Sequence, residues 1–370
     1  GCSGFVAVRA TKPEHPLASD LLRLLTRQPP PHAASTRDRD APPARNTSQM
    51  LDRREFLGLG LAAAPALLFA GRPVSGGGAH PPTLALATAD TEAHVAIVSL
   101  RSMRVIQRLR TVEDPRSIQR AGGGRALLAH SGAGAVSLLA GRPLRVRRVL
   151  RGFGAPRYTA VAGRLAYVSD SAMGEIAVID LDRERVLRRV AVGDGARHLA
   201  LRPGGHTLWV ALGSSAAQIA VVDLRDPQRP RLAGHVRPPF LAHDVGFSPS
   251  GRRVWVTAGR EPRIAVYAAG TRALTRELSA DAAPQHIAFG RALAYVSSGE
   301  AGTLCLHALS DARLRHRTRI PAGSYNIEHA HARVVTPSLG TGALTVLDAR
   351  GAVLAQVHAA AAAHDVCLLP

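Results

Sequence analysis

Residues 196–236 open with Ala196-Arg197-His198-Leu199-Ala200-Leu201 and the turn Arg202-Pro203-Gly204-Gly205. They continue through Leu208-Trp209-Val210-Ala211, a Gly/Ser loop, Ile219-Ala220-Val221-Val222-Asp223 and a more polar run, Arg231-Leu232-Ala233-Gly234-His235-Val236. Val, Ile, Trp and Leu concentrate in the runs, and Gly, Pro and Ser in the breaks, which is strand-and-turn chemistry. Four short strands in about 40 residues is the layout of one β-propeller blade.

The start of this unit recurs along the chain. The copies are Pro115-Arg116-Ser117-Ile118, Pro156-Arg157-Tyr158-Thr159, Ala196-Arg197-His198-Leu199 and Ala242-His243-Asp244-Val245. Pro284-Gln285-His286-Ile287, Ser324-Tyr325-Asn326-Ile327 and Ala363-His364-Asp365-Val366 follow. Taken at the third residue (117, 158, 198, 244, 286, 326, 365), successive differences are 41, 40, 46, 42, 40 and 39. A fixed period of this length marks a repeat architecture. The second run recurs as Leu165-Ala166-Tyr167-Val168, Val254-Trp255-Val256-Thr257 and Leu293-Ala294-Tyr295-Val296. The third recurs as Ile176-Ala177-Val178-Ile179-Asp180, Ile264-Ala265-Val266-Tyr267 and Leu344-Thr345-Val346-Leu347-Asp348. The unit from Ala126 to Ala162 lacks the Tyr-Val signature, and its third run, Val136-Ser137-Leu138-Leu139, is thin. The expected fold is all-β: a seven-bladed β-propeller of four-stranded antiparallel blades over residues 83–370.

These strands, with the turn Ser248-Pro249-Ser250-Gly251, resemble the YVTN-type repeats of YncE-like and surface-layer β-propellers. The resemblance covers roughly residues 83–370 and implies architecture, since those families bind many things. It also implies how the ring closes. The chain enters with a second-strand run, Thr83-Leu84-Ala85-Leu86, and ends with a first-strand run, His364-Asp365-Val366-Cys367-Leu368. The C-terminal strand is therefore expected to complete the N-terminal blade and remove a free sheet edge.

Residues 1–49, rich in Pro, Arg, Ala, Ser and Thr without a sustained period, read as a disordered extension. Residues 50–80 read as an export signal and linker. Arg53-Arg54-Glu55-Phe56-Leu57 precedes an apolar run to Ala70, and the order resembles a twin-arginine signal. That run of about 14 residues is short for a membrane span. The expected location is extracytoplasmic, secreted or in the periplasm or cell envelope, with Met50 as the natural start.

The chain of 370 residues carries 47 Lys and Arg against 27 Asp and Glu, a formal charge of +20, and Lys12 is its only lysine. Such charge can draw an anionic surface. The arginines are scattered and lack interleaved aromatics, so specific nucleic-acid binding is not expected. Three cysteines, Cys2, Cys305 and Cys367, make no disulfide framework or zinc-finger spacing, and the last two read as buried thiols. No nucleophile elbow, P-loop or dinucleotide fingerprint is present.

In a closed ring the polar pairs before the innermost strands share one rim. The expected site is Arg116, Arg157, Tyr158, Arg197, His198, His243, Asp244, His286, Asn326, His364 and Asp365, with Asp170, Arg260, Glu261 and Glu300 brought near by loops. Three readings stand. Arg116, Arg157 and Arg197 could fork an anionic ligand or peptide. His198, His243, His286 and His364, with Asp244 or Asp365, could hold a divalent metal such as Zn, Cu, Ni or Fe. Or the pairs could only cap inner strands with hydrogen bonds. The favoured function is a monomeric binding or protein-interaction module without catalysis. The alternative is a metal-dependent, lactonase-like hydrolase or lyase. Glu328, His329 and His331 alternate along a strand and read as structural, and Trp209 and Trp255 as core.

Overall fold

The computed structural model describes residues 83–370 apart from Asp281. The expectations for residues 1–49 and 50–80 lie outside the described residues. Within them the chain forms seven four-stranded antiparallel sheets and no helix. The inner strands adjoin one another in chain order around the ring. Blade 1 is built from both ends: Ala363–Leu369 is its inner strand, followed outward by Leu84–Ala89, His94–Ser99 and Arg104–Arg110. Leu84 pairs with Leu369 and Leu86 with Cys367, so the last strand closes the ring as the repeat phase requires. Blades 2 to 7 begin with inner strands Pro115–Arg120, Pro156–Ala162, Ala196–Leu201, Val245–Phe247, Ile287–Phe289 and Glu328–Ala330.

Burial follows strand position. Middle strands such as Leu165–Asp170 and Thr303–Ala308 are buried throughout, because a neighbouring blade covers each face. Outer strands such as Arg104–Arg110 and Leu314–Arg319 are largely exposed and carry much of the arginine. Charge along an outer strand protects it from pairing with another edge. The core lies between blades. Trp209 of blade 4 is fully buried, its ring 5.8 Å from Tyr267 and 6.2 Å from Phe247 of blade 5. Trp255 repeats the arrangement one blade on, 6.1 Å from both Phe289 and His307 of blade 6. Blade 2 forms its middle strands without the Tyr-Val signature, burying Leu127, Leu128 and Leu139 instead. Cys305 and Cys367 are buried and form no disulfide among the described residues.

Candidate functional site

Each polar pair sits where the ladder of its blade is interrupted. In blades 2, 3 and 4 the register between inner and second strands shifts at Pro115/Ser117, Pro156/Thr159 and Ala196/Leu199. In blades 5, 6 and 7 regular pairing starts only after the pair, at Val245, Ile287 and Glu328. A break of this kind releases adjacent residues from strict alternation between the two faces. Thus Gln285 and His286, consecutive in sequence, both line one cavity at the channel mouth.

That cavity has a volume of about 250 Å³. Arg116, Tyr158, Arg197, His243, His286 and His364 of the expected rim line it, with Arg260 and Glu300 from the loops. Ser214, Ser215, Gly259 and Leu339 also line it. They stand on second-to-third-strand loops, where no recurring motif marks them. The other two loop residues lie elsewhere. The carboxylate of Asp170 turns back to accept from the amides of Gly154 (2.7 Å) and Ala155 (2.8 Å). Glu261 is exposed and pairs with Arg263 at 3.1 Å. A larger cleft of about 630 Å³ between blades 1 and 2, lined by residues such as Ile97, Ile106, Leu144 and Pro370, gathers no acid or imidazole.

Several rim side chains join blades. Asp365 accepts from the amides of Val366 (2.8 Å) and, in blade 2, Ile118 (3.0 Å). Asp244 accepts from Val245 (2.8 Å) and, in blade 6, Ile287 (3.1 Å). Asn326 donates to the His364 carbonyl at 2.8 Å, and His364 Nδ1 donates to the Arg116 carbonyl at 2.6 Å. Ser117 donates to the Arg157 carbonyl. Gln285 spans Gly259 and Gly299 at 3.0 and 2.7 Å. These contacts are the capping bonds of the third reading, directed largely across blade boundaries.

Three imidazoles converge instead. The rings of His198 and His243 are 4.5 Å apart between centroids, His198 and His286 4.8 Å, and His243 and His286 5.2 Å. One ring nitrogen from each lies within 4.8 Å of the others. His364 stands outside that group. His243 donates its Nδ1–H to the Ser214 carbonyl at 2.9 Å. Nδ1 of His286 stands 3.3 Å from Oδ2 of Asp244. With Nδ1 so engaged, both rings keep Nε2 for another partner. The carboxylate of the 243–244 pair thus orients the imidazole of the next blade, His286, not its own neighbour. His198 is 1% exposed and does not itself line the cavity; no hydrogen bond of ordinary geometry reaches its ring nitrogens, and a backbone interaction with His243 offsets only part of the burial. The Tyr158 ring lies 4.3 Å from it.

Burial favours the neutral form of His198 and His243. Burial, then the neighbouring His243 and His286, hold His198 well below the usual imidazole range. Burial and His286 take His243 down to about 4. Burial likewise lowers His364, with Arg116 adding to it. Neutral imidazole is the ligating form. Gly259 shapes the pocket locally: its φ is +75°, and a Cβ there would sit 2.6 Å from Cβ of His243. Further along the ring, burial and the charge of Asp365 push the Glu328 carboxyl up to about 8. His329 stacks on Tyr295 with centroids 5.1 Å apart, so it packs between blades.

No protein-family model matches the chain, and no curated protein matches its sequence. Solved structures do match in shape. A functionally unknown protein from Desulfotomaculum acetoxidans is 11% identical with a TM-score of 0.68, over 78% of this chain and 99% of that one. A protein from Lactobacillus plantarum is 16% identical with a TM-score of 0.65, over 79% and 100%. A candidate 6-phosphogluconolactonase from Bacteroides fragilis is 11% identical with a TM-score of 0.64, over 78% and 98%. At these identities the likeness is one of fold alone, that of a seven-bladed β-propeller.

Proposed function

We propose that this propeller is an extracytoplasmic binding module whose site is the cavity at the channel mouth. In this reading a divalent transition metal held by His198, His243 and His286 forms the core of the site. The observation that carries it is His198. Burying a polar group without a hydrogen bond costs about 1–3 kcal/mol, and His198 buries both ring nitrogens without one of ordinary geometry. A metal supplies the missing partner. The bonds from Nδ1 of His243 and the placement of Asp244 beside His286 support the same reading. Metal-bound histidines regularly engage the second ring nitrogen with a carbonyl or carboxylate. Three imidazoles suit Zn, Cu, Ni or Fe. The volume of about 250 Å³ is below the roughly 300–1,000 Å³ of drug-sized pockets, which favours an ion with a small co-ligand. The Arg53-Arg54 segment supports the extracytoplasmic setting.

The test is thermal unfolding of chelator-treated protein with and without Zn²⁺. A ligand bound only by the folded state stabilises it by about 2.7 kcal/mol at a hundredfold excess over Kd. The expected result is a saturable rise in Tm that is absent from His198→Leu. No rise in the wild-type protein overturns the metal reading. Three histidines with an open position are also the arrangement of hydrolytic zinc centres, and Glu300 lines the same cavity. Lactone turnover by the zinc-loaded protein, lost in His198→Leu, would convert the binding reading into an enzymatic one.

A further inference from the structure

Beside the imidazoles, the same cavity gathers guanidinium groups that the metal reading leaves unused. Arg116, Arg157 and Arg197 occupy the same repeat position on consecutive blades 2, 3 and 4. Arg116 and Arg197 line the cavity, and both press electrostatically on the half-buried Arg157. In all three the Nε is closed off from solvent and has no partner. Arg116 alone meets a carboxylate, Asp90 at 2.7 Å. Arg157 and Arg197 make no ion pair or side-chain hydrogen bond among the described residues.

This is unlike many arginines elsewhere in the fold. Arg164 and Arg183 meet Asp180, Arg189 meets Glu175, Arg225 meets Asp223, and Arg263 meets Glu261 and Glu277. At the channel mouth the nearby aspartates are already engaged. Asp244 and Asp365 give their oxygens to backbone amides. Asp90 meets Arg116 through Oδ2 only, and Asp114, whose charge also reaches Arg157, accepts from the Gly132 amide. The cavity wall itself sets three arginines, Arg116, Arg197 and Arg260, against one carboxylate, Glu300. Crowding like charges in a partly desolvated place is costly unless an opposite charge joins them.

We infer that the cavity binds a small oxyanion of carboxylate or phosphate type at Arg197, beside His243 and His286, with Arg157, which does not itself line the cavity, adding positive charge next to it. The planar fork of arginine fits the paired oxygens of such groups. The cavity volume of about 250 Å³ limits the ligand to a small molecule. The inference rests on the channel mouth being the binding site. It adds the chemical class of the co-ligand and does not require the metal.

Calorimetric titration of the whole protein with inorganic phosphate and with succinate tests it, using chelator-treated and Zn²⁺-loaded samples. Zn²⁺-loaded samples are titrated with succinate only, since phosphate precipitates zinc. The expected result is saturable one-to-one binding of at least one of the two anions, with Kd below about 1 mM. Whichever anion binds distinguishes a phosphate from a carboxylate ligand. Arg197→Gln should weaken that binding at least about tenfold and Arg157→Gln, acting through charge alone, by less, with Zn²⁺ affinity kept within a few-fold. Arg197→Lys, which keeps the charge and loses the fork, serves if the glutamine variant does not fold. Arg225→Gln, at an exposed pair outside the cavity, should change nothing. Absence of saturable binding, or binding that survives the Arg157→Gln/Arg197→Gln double variant, overturns the inference. The two readings fail separately. Zinc binding without anion binding sinks this inference and leaves the metal centre standing. Anion binding without zinc binding does the reverse.

Discussion

His198→Leu should make the metal-free protein more stable and the metal-loaded protein less so. A neutral imidazole carries one donor and one acceptor, and in His198 both are buried without a partner of ordinary geometry. Each such group costs about 1–3 kcal/mol. Leucine has similar bulk and no polar atom, and it would pack against the rings of Tyr158, His243 and His286. Taking the loss of ideal packing from the relief, the net gain should be about 1–3 kcal/mol. At roughly 2–4 °C per kcal/mol for a large domain, Tm in chelator should rise by about 2–12 °C. In excess Zn²⁺ the order reverses, because the wild-type protein gains binding free energy and the variant does not. Differential scanning calorimetry in both conditions reads the crossover. A variant less stable than wild type in chelator would refute the reasoning and show instead that the backbone of His243 satisfies the buried His198 ring.

Deleting residues 364–370 removes most of the inner strand of blade 1 and strips Leu84–Ala89 of its inner partner, leaving only His94–Ser99 beside it. Soluble folded protein should be lost, and retention of the wild-type far-UV spectrum and Tm would contradict the closure. Asp365→Ala leaves the amides of Ile118 and Val366 without their acceptor at the seam of blades 1 and 2. It should cost about 2–3 kcal/mol in urea unfolding, and a neutral result would show that the seam does not depend on it. Glu328 has a folded-state value raised from 4.5 to about 8, so between those pH values the native state keeps a proton that the unfolded state has released. Stability should therefore fall as pH rises through this window, by up to about 1.4 kcal/mol per unit from this group. Glu328→Gln should remove that slope and be the more stable protein at pH 8.5. Parallel pH profiles of variant and wild type would refute the assignment.

The ring was legible because a repeat carries its own redundancy. The pair of polar residues ahead of each inner strand recurs with a nearly constant period, so even the weak blade around Val136-Ser137-Leu138-Leu139 is fixed by its neighbours. The phase of the terminal runs, Leu84-Ala85-Leu86 and Val366-Cys367-Leu368, carried the closure in the same way. The site was legible only as a circle of candidates. Which member of a pair faces the cavity depends on the break in the ladder, and alternation alone would have allowed one of Gln285 and His286, not both. Asp244 shows the same limit: its partner, His286, is a neighbour only across the blade boundary. Ser214, Ser215 and Leu339 come from loops whose residue types follow no repeat, so no spacing argument reaches them.

His198, His243 and His286 are proposed to form one metal centre. Cobalt(II) titration of the chelator-treated protein tests it most directly, because visible bands report the number and type of ligands. The expected result is one Co²⁺ per chain with a nitrogen-rich spectrum. The spectrum should be abolished or strongly altered in His198→Leu, His243→Ala and His286→Ala, and retained in His364→Ala, whose ring stands outside the group of three. Failure to bind Co²⁺ in a one-to-one ratio, or a spectrum unchanged by all three substitutions, would contradict it.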